Sequence, residues 1–223
     1  YISSACPVVV EYIRKYSPDH VRFITPIISP MLAHAKILKQ LYGEDVKIVF
    51  AGPCICKKLE ADYFNNLVDV VITFKDLKKW FEQSDINLKN IAPNQPEARF
   101  VPYRSGMGAY YPIEGGMLKG MQEGKKQIHH MAFSELSTVK DVLKELDSHR
   151  ENDSIFLELL ACKGGCINGP AKLSHISPAL KRYEIIHQSE LGNPKDDFKN
   201  IDLQILFCKD PHVQDHTYTE EEI

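Results

Sequence analysis

Apolar and polar positions follow two periods along this chain. Over residues 7–16, Val8, Val9, Tyr12 and Ile13 recur on one helical face, and Pro18 ends the predicted helix. Ser29 followed by Pro30 predicts a second helix over residues 29–41, with Ser29 as N-cap and Pro30 at the first helical position. Residues 46–50 are apolar apart from one lysine, and residues 68–73 form a second apolar run; both predict buried strands. Helices are predicted over 57–64 and 74–83, the second carrying Trp80. Strands that alternate with helices predict an α/β domain with a mainly parallel sheet.

The pattern is less regular elsewhere. Residues 21–27 are β-rich but broken by Pro26, and residues 85–99 are polar, hold Pro93 and Pro96, and predict a loop or linker. Residues 105–120 are rich in glycine and include Glu114-Gly115-Gly116-Met117. Residues 138–149 predict a helix with Thr138 and Asp141 as a capping box. Residues 154–161 form an apolar run that ends at Cys162, residues 190–197 predict a polar loop, and the Glu220-Glu221-Glu222 tail predicts a solvated end. Two strands share a logic: 46–50 runs into Gly52-Pro53-Cys54, and 155–160 runs into Cys162. Ligands sit outside the carboxyl ends of strands in open α/β sheets, so both cysteines are expected at one sheet edge.

Composition narrows the function. The chain has 223 residues, 43% hydrophobic and 26% charged, with a net charge of −3. That balance argues against disorder and against a phosphate-neutralising surface, so no nucleic-acid partner is expected. No run of about 18 apolar residues exists, so no membrane span is expected. The first residue is Tyr1 rather than Met, which reads as a fragment or processed chain.

The six cysteines are Cys6, Cys54, Cys56, Cys162, Cys166 and Cys208. A chain with an ordinary core does not need disulfide staples. Four of them stand in segments with proline or glycine one or two residues away, in Ala5-Cys6-Pro7, Gly52-Pro53-Cys54 and Cys162-Lys163-Gly164-Gly165-Cys166. Glycine lets backbone approach a bulky group and proline stiffens the approach, so a metal or cluster site, buried free thiols and disulfides all stay open. The spacing of Cys162 and Cys166 is too loose for a zinc ribbon, and no thioredoxin-like Cys-x-x-Cys is present. Lys57, Lys58 and Lys163 would supply positive charge to thiolates, and Gly164-Gly165 would leave backbone N–H groups free to face them.

Three segments carry a family resemblance. Ser3-Ser4-Ala5-Cys6-Pro7, Gly52-Pro53-Cys54-Ile55-Cys56-Lys57-Lys58-Leu59-Glu60 and Glu158-Leu159-Leu160-Ala161-Cys162-Lys163-Gly164-Gly165-Cys166-Ile167-Asn168-Gly169 resemble the three signatures of the iron-only (FeFe) hydrogenase catalytic domain. They occur in order; the resemblance covers roughly residues 1–170, and Ser29-Pro30 and Glu114-Gly115-Gly116 also fit it. It implies a two-lobed α/β domain with parallel sheets flanked by helices, incomplete at its N-terminus. Residues 171–223 would be an extension leading to a further module. Carried over by position, Cys6, Cys54, Cys162 and Cys166 would hold a 4Fe–4S cluster. Cys166 would also bridge to a diiron subcluster with carbonyl, cyanide and dithiolate ligands, the whole being the H-cluster. Lys57 would hydrogen-bond a cyanide, and Pro53, Gly115 and Gly116 would lie against the diiron unit. The catalytic residues implied are Cys166 and Lys57. The partners implied are H2 and protons, a ferredoxin-type electron carrier or linked cluster domains, and a cytoplasmic setting in an anaerobe.

The chain departs from the fast members of that family. They carry a proton-relaying cysteine where Ala5 stands, and methionine where Gly52 and Leu160 stand; Pro170 follows Gly169 where the family continues in glycine. A methyl group cannot relay a proton. Thr25 keeps a hydroxyl where the usual proton path has one. These departures resemble the sensory branch, in which a slow hydrogen-reactive domain is coupled to PAS, kinase or phosphatase modules. The expected function is therefore slow, reversible H2 oxidation and proton reduction used for hydrogen sensing. The alternatives are a scaffold like the iron–sulfur assembly factors, without the diiron unit, and a plain electron-transfer domain. Cys56 and Cys208 are expected to be free thiols, Glu60 a salt-bridging residue, and Glu158 either structural or part of a proton path. Tyr110, Tyr111 and Trp80 are expected in the core or at an interface, and His129, His130, His175 and His187 at the surface or at caps. The Lys125-Lys126 pair is too short for a nucleic-acid patch.

Overall fold

In a computed structural model of the chain, two parallel pairs of strands each anchor a lobe. The structure describes residues 1–64, 66–90, 105–121, 128–146, 154–173, 176–189 and 202–207. In the first lobe, β1 (Val49–Gly52) pairs with β2 (Val70–Thr73), Val49 opposite Val70 and Gly52 opposite Thr73. Helix α3 (Cys56–Tyr63) makes the crossover, while α2 (Pro30–Tyr42) and α4 (Phe74–Gln83) flank it in sequence. Its core joins Ile28, Met31, Leu32 and Ala35 to Ile48, Ala61, Val68 and Val71.

The second lobe pairs β3 (His129–Ser134) with β4 (Ile155–Leu160), again in parallel. Helix α6 (Leu136–Leu146) is the crossover and α1 (Pro7–Tyr16) packs beside it. The N-terminal residues extend this sheet: Ile2 bridges both Leu157 and Ile24 in parallel, with Ser3 N–H donating to the Leu157 carbonyl at 2.9 Å. Val9, Ile13 and Val139 are fully enclosed in this core. The short helix α5 (Gly116–Lys119) contacts β3, and α7 (Pro178–Ser189) packs on the turns at Gly106–Tyr110 and Cys166–Asn168. The turn Leu203–Leu206 lies on α2, where Ile28 N–H donates to Leu206 O at 3.1 Å.

The α/β class and the parallel pairing match the sequence reading, with local corrections. The two cysteine-bearing strands belong to separate sheets rather than one edge. β1 and β2 are shorter than the apolar runs, and their first residues, Val49 and Val70, are about half exposed, although α3 lies against β2 and α4 against both strands. Residues 21–27 form no strand; Pro18–Phe23 winds into a 3-10 helix, which Pro18 at its start favours, and only Ile24 and Ile27 make bridges. Helix α6 begins at Leu136, so Thr138 lies inside it and caps nothing. The capping box is at α4, where Thr73 Oγ1 accepts from Asp76 N–H and the Asp76 carboxylate accepts from Thr73 N–H at 2.9 Å. Ser29 holds the N-cap position of α2 without a side-chain capping bond. Trp80 is exposed rather than in the core, as is Tyr111 in part, while Tyr110 is buried. Strand β3 and helix α7 escape the sequence reading because neither alternates cleanly: His129-His130 opens β3, and charged residues are spread around α7. Residues 91–99 and 190–197, the Glu220-Glu221-Glu222 tail, Cys208, His175 and Lys125-Lys126 lie outside the described residues.

Candidate metal centre

Four cysteines reach the junction of the lobes from four backbone positions. Cys6 is the N-cap of α1, held extended by Pro7 behind it. Cys54 follows the end of β1, and Cys162 follows the end of β4. Cys166 opens the Cys166–Asn168 turn. The second lobe thus supplies three of them and the first lobe one. Their thiols act on one another: Cys6, Cys54 and Cys162 each push up Cys166. Burial is the leading cause at Cys6, Cys162 and Cys166, raising Cys6, taking Cys162 to about 11 and Cys166 to about 12. Lys57 opposes this at Cys6 and Cys166, and Lys172 at Cys162.

Among the described residues, no three His, Cys, Asp or Glu side chains close on a single metal ion. A tetrahedral zinc site, with bonds of about 2.3 Å, needs sulfurs about 4 Å apart. An iron–sulfur cube spreads its four thiolates over four irons, so a wider ring of converging thiols fits it. No disulfide pairs them; all five described cysteines are free.

The loop between Cys162 and Cys166 is built by glycine. Gly164 and Gly165 have φ of +74° and +105°, and a Cβ on Gly165 would run into the backbone of Pro112, Ile113 and Glu114. Their N–H groups are not free for a cluster, as the sequence suggested. Gly165 N–H donates to Cys162 O at 2.9 Å and Gly164 N–H to Ser134 Oγ at 2.9 Å. The Ser134 hydroxyl also donates to the Glu114 carboxylate, and Glu114 N–H reaches Gly164 O at 3.3 Å. Ser134 and Glu114 therefore tie the glycine loop to the end of β3; Ser134 carries no sequence signal, and Glu114 carries one only as part of Glu114-Gly115-Gly116.

Lys57 and Glu60 form a buried ion pair, Nζ to Oε2 2.6 Å, each residue 8% exposed. The same ammonium donates to Ala5 O at 3.3 Å, so α3 of the first lobe holds the segment entering Cys6. The salt-bridging role expected of Glu60 is seen. Lys58 pairs with Asp76 at 3.8 Å on the surface. Pro53 O accepts from Ala171 N–H at 3.0 Å, and Gly169 lies too close to it for a side chain. Gly115 is the N-cap of α5 with φ of +75°, and Gly116 is pressed against Tyr110 O. Cys56 begins α3 after a helical Ile55, and its thiol is free, as expected. His129 and His130 lie on β3, and His187 stacks on Tyr183 with ring centroids 5.9 Å apart.

Glu158 sits on β4 at 1% exposure, and neither carboxylate oxygen has a partner in hydrogen-bonding geometry among the described residues. Burial lifts it to about 7 against the pull of the nearby Leu118, Met117 and Gly115 N–H groups. Burial, then Glu158, also raises Tyr111. A cavity of about 720 Å³ opens beside Ala5, with Ser4, Thr25, His34, Tyr111 and Met117 among its walls. The Thr25 hydroxyl reaches Ser4 Oγ at 3.5 Å, and Ser4 in turn donates to Ile27 O. Lys57, Pro53, Gly115 and Gly116 do not line this cavity. Among the described residues no helix is long and apolar enough to cross a membrane.

Residues 1–170 match the family described as iron only hydrogenase large subunit, C-terminal domain. The chain is 24% identical to iron hydrogenase 1 of Clostridium pasteurianum, covering 95% of this chain and 42% of that protein. It is 26% identical to the cytosolic Fe-S cluster assembly factor narfl of Danio rerio, covering 91% of this chain and 62% of that one. A structure of a variant FeFe-hydrogenase HydA1 from Chlamydomonas reinhardtii superposes with a TM-score of 0.59 at 18% identity, over 83% of this chain and 65% of that one. The likeness in structure is one of fold. The chain spans about half the length of the curated relatives it matches. With that family matched over residues 1–170, the chain belongs to the iron-only hydrogenase family, in the part that forms the C-terminal domain.

Proposed function

We propose that this member of the family is a slow, hydrogen-sensing H-cluster domain, its 4Fe–4S cluster held by Cys6, Cys54, Cys162 and Cys166. The observation that carries the reading is the convergence of those four thiols from two lobes, each in its motif's backbone setting. Cys166 would bridge to the diiron subcluster with its carbonyl, cyanide and dithiolate ligands. When bound, that group supplies reversible H2 oxidation and proton reduction. The chain's residues do the rest. Four thiols, that of Cys6 buried and those of Cys54, Cys162 and Cys166 half-buried, would bind the cluster, and each gives up a proton when it becomes a ligand. Lys57, fixed by Glu60, stands near Cys6 and Cys166, from which it would donate to a cyanide. Pro53, Gly115 and Gly116 would give the diiron unit close backbone without side chains. Ala5 has no proton to move, so turnover is slow and gas binding is read out as a redox change. Electrons would come from a ferredoxin-type carrier or linked cluster domains, and the output would pass to PAS, kinase or phosphatase modules, in the cytoplasm. Residues 171–223 would lead toward such a module.

A second reading is a cluster-carrying scaffold without the diiron unit. The match to the cytosolic assembly factors favours it, as does the absence of Lys57, Pro53, Gly115 and Gly116 from the walls of the large cavity. Infrared spectra of the anaerobically matured chain separate the two. Bands of metal-bound carbonyl and cyanide that respond to H2 are expected. A spectrum with an intact cube and no such bands would establish the scaffold instead. Turnover equal to that of fast hydrogenases would exclude the sensing role.

A further inference from the structure

We propose that Ser134, backed by Glu135, is a positioning residue for the cluster. From the turn between β3 and α6 it holds the Cys162–Cys166 loop in its ligand-presenting form. It also occupies the Gly164 N–H, which keeps the reduction potential of the cluster low. The proposal rests on the reading that the four cysteines hold a 4Fe–4S cluster.

The three residues between Cys162 and Cys166 are clamped through their backbone. Lys163 O accepts from the Asn168 side-chain amide at 3.0 Å. Gly164 N–H donates to Ser134 Oγ at 2.9 Å, and Gly164 O accepts from Glu114 N–H at 3.3 Å. Gly165 N–H donates to Cys162 O at 2.9 Å. The Ser134 hydroxyl gives its own proton to the Glu114 carboxylate, so its oxygen is oriented to accept from Gly164. Glu114 is fixed in turn by Arg182, which donates to its carbonyl at 3.2 Å. Glycines have little conformational preference of their own, so these partners decide the form of the loop.

Glu135 adds a second hold. Its φ of +79° is a left-handed conformation that glycine adopts far more readily, and residues kept there cluster where the side chain has a task. Its carbonyl accepts from Val139 N–H at 3.0 Å and starts α6, while its carboxylate pairs with Lys163 Nζ at 2.9 Å. The Lys163 and Glu135 side chains are 82% and 45% exposed, so water screens this pair and makes it the weaker hold.

The effect on potential follows from what the loop could otherwise offer. A cluster becomes more negative when it gains an electron, so N–H groups that donate to its sulfurs, and cations beside it, favour the reduced form. The Gly164 N–H and the Lys163 ammonium are two such groups close to Cys162 in the chain. Both are engaged elsewhere, the first by Ser134 and the second by Glu135. Partners that orient ligands in this way control both the geometry and the electronics of a metal site.

The test uses the full chain, reconstituted anaerobically and poised with dithionite and mediators, with the EPR signal of the reduced cluster read against potential. Ser134→Ala frees the Gly164 N–H and is expected to favour the reduced cluster by roughly tenfold at a fixed potential, an upward shift of about 59 mV for one electron. Ser134→Thr keeps the hydroxyl and is expected to restore the original value. Glu135→Gln, an exposed change that spares folding, is expected to shift the potential the same way by less. A second readout needs no cluster: in the apo chain, alkylation of each cysteine is timed by mass spectrometry. Ser134→Ala is expected to speed Cys162 and Cys166 several-fold and to leave Cys54, in the other lobe, unchanged. An unaltered chain that takes up no cluster fails the cluster reading, and the alkylation rates alone then judge the hold on the loop. An unmoved potential in Ser134→Ala with a full cluster, an equal shift in Ser134→Thr, or unchanged alkylation of Cys162 and Cys166 would overturn the proposal.

Discussion

The two lobes are built on the same unit, a parallel strand pair with a helical crossover, yet they are closed to different degrees. In the second lobe the last four residues of β4 are all buried, and Ile2 extends the sheet on one side. In the first lobe Val49 and Val70, which face each other across β1 and β2, are 47% and 48% exposed, and α4 buries no residue. Of the four proposed ligands, the tightly closed lobe carries Cys6, Cys162 and Cys166, and the open one Cys54. A cluster site needs most of its ligands on a rigid frame, and one strand end from a looser lobe then completes it. One join between the two is the buried Lys57–Glu60 pair with its reach to Ala5.

That join is the first place to break the contrast. Lys57→Met leaves Glu60 buried without its cation and is expected to cost about 3–5 kcal/mol in urea unfolding at neutral pH. Next come matched truncations in the two lobes. Leu159→Ala, at a site 1% exposed, is expected to cost about 2–5 kcal/mol, and Val70→Ala less than about 1 kcal/mol. Equal losses would show that the lobes are equally closed.

A third prediction concerns pH. Glu158 is raised from 4.5 to about 7 in the folded chain, so the folded state binds more protons than the unfolded between those values. Stability is therefore full below the unfolded value and declines as pH rises through about 7, by at most about 3 kcal/mol. Glu158→Gln is expected to flatten that decline, checked by unfolding midpoints from pH 4.5 to 8. The smallest effect is at the edge of the open lobe: Thr73→Ala removes the capping box of α4 and is expected to cost about 1 kcal/mol.

What the sequence showed follows the same contrast. Strand β4 and helix α1 were legible because their apolar periods meet a deep core. The four proposed ligands were legible because proline and glycine surround them. Their convergence from separate sheets was not, since a strand's end does not say which sheet it joins. Strand β3 was missed because its histidines and methionine face a half-covered surface, and α7 because its apolar positions are sparse. The Ser134–Glu114 tie to Gly164 links residues far apart in sequence, and no local pattern marks it.

One measurement tests most directly whether a single cluster spans both lobes. The chain and its Cys54→Ala variant are reconstituted anaerobically, and iron, sulfide and the reduced-state EPR spectrum are compared, with Cys56→Ala as control. A 4Fe–4S signal is expected in the unaltered chain and in Cys56→Ala, with loss or conversion of that signal in Cys54→Ala. An unchanged spectrum and full iron content in Cys54→Ala would contradict a single cluster across both lobes.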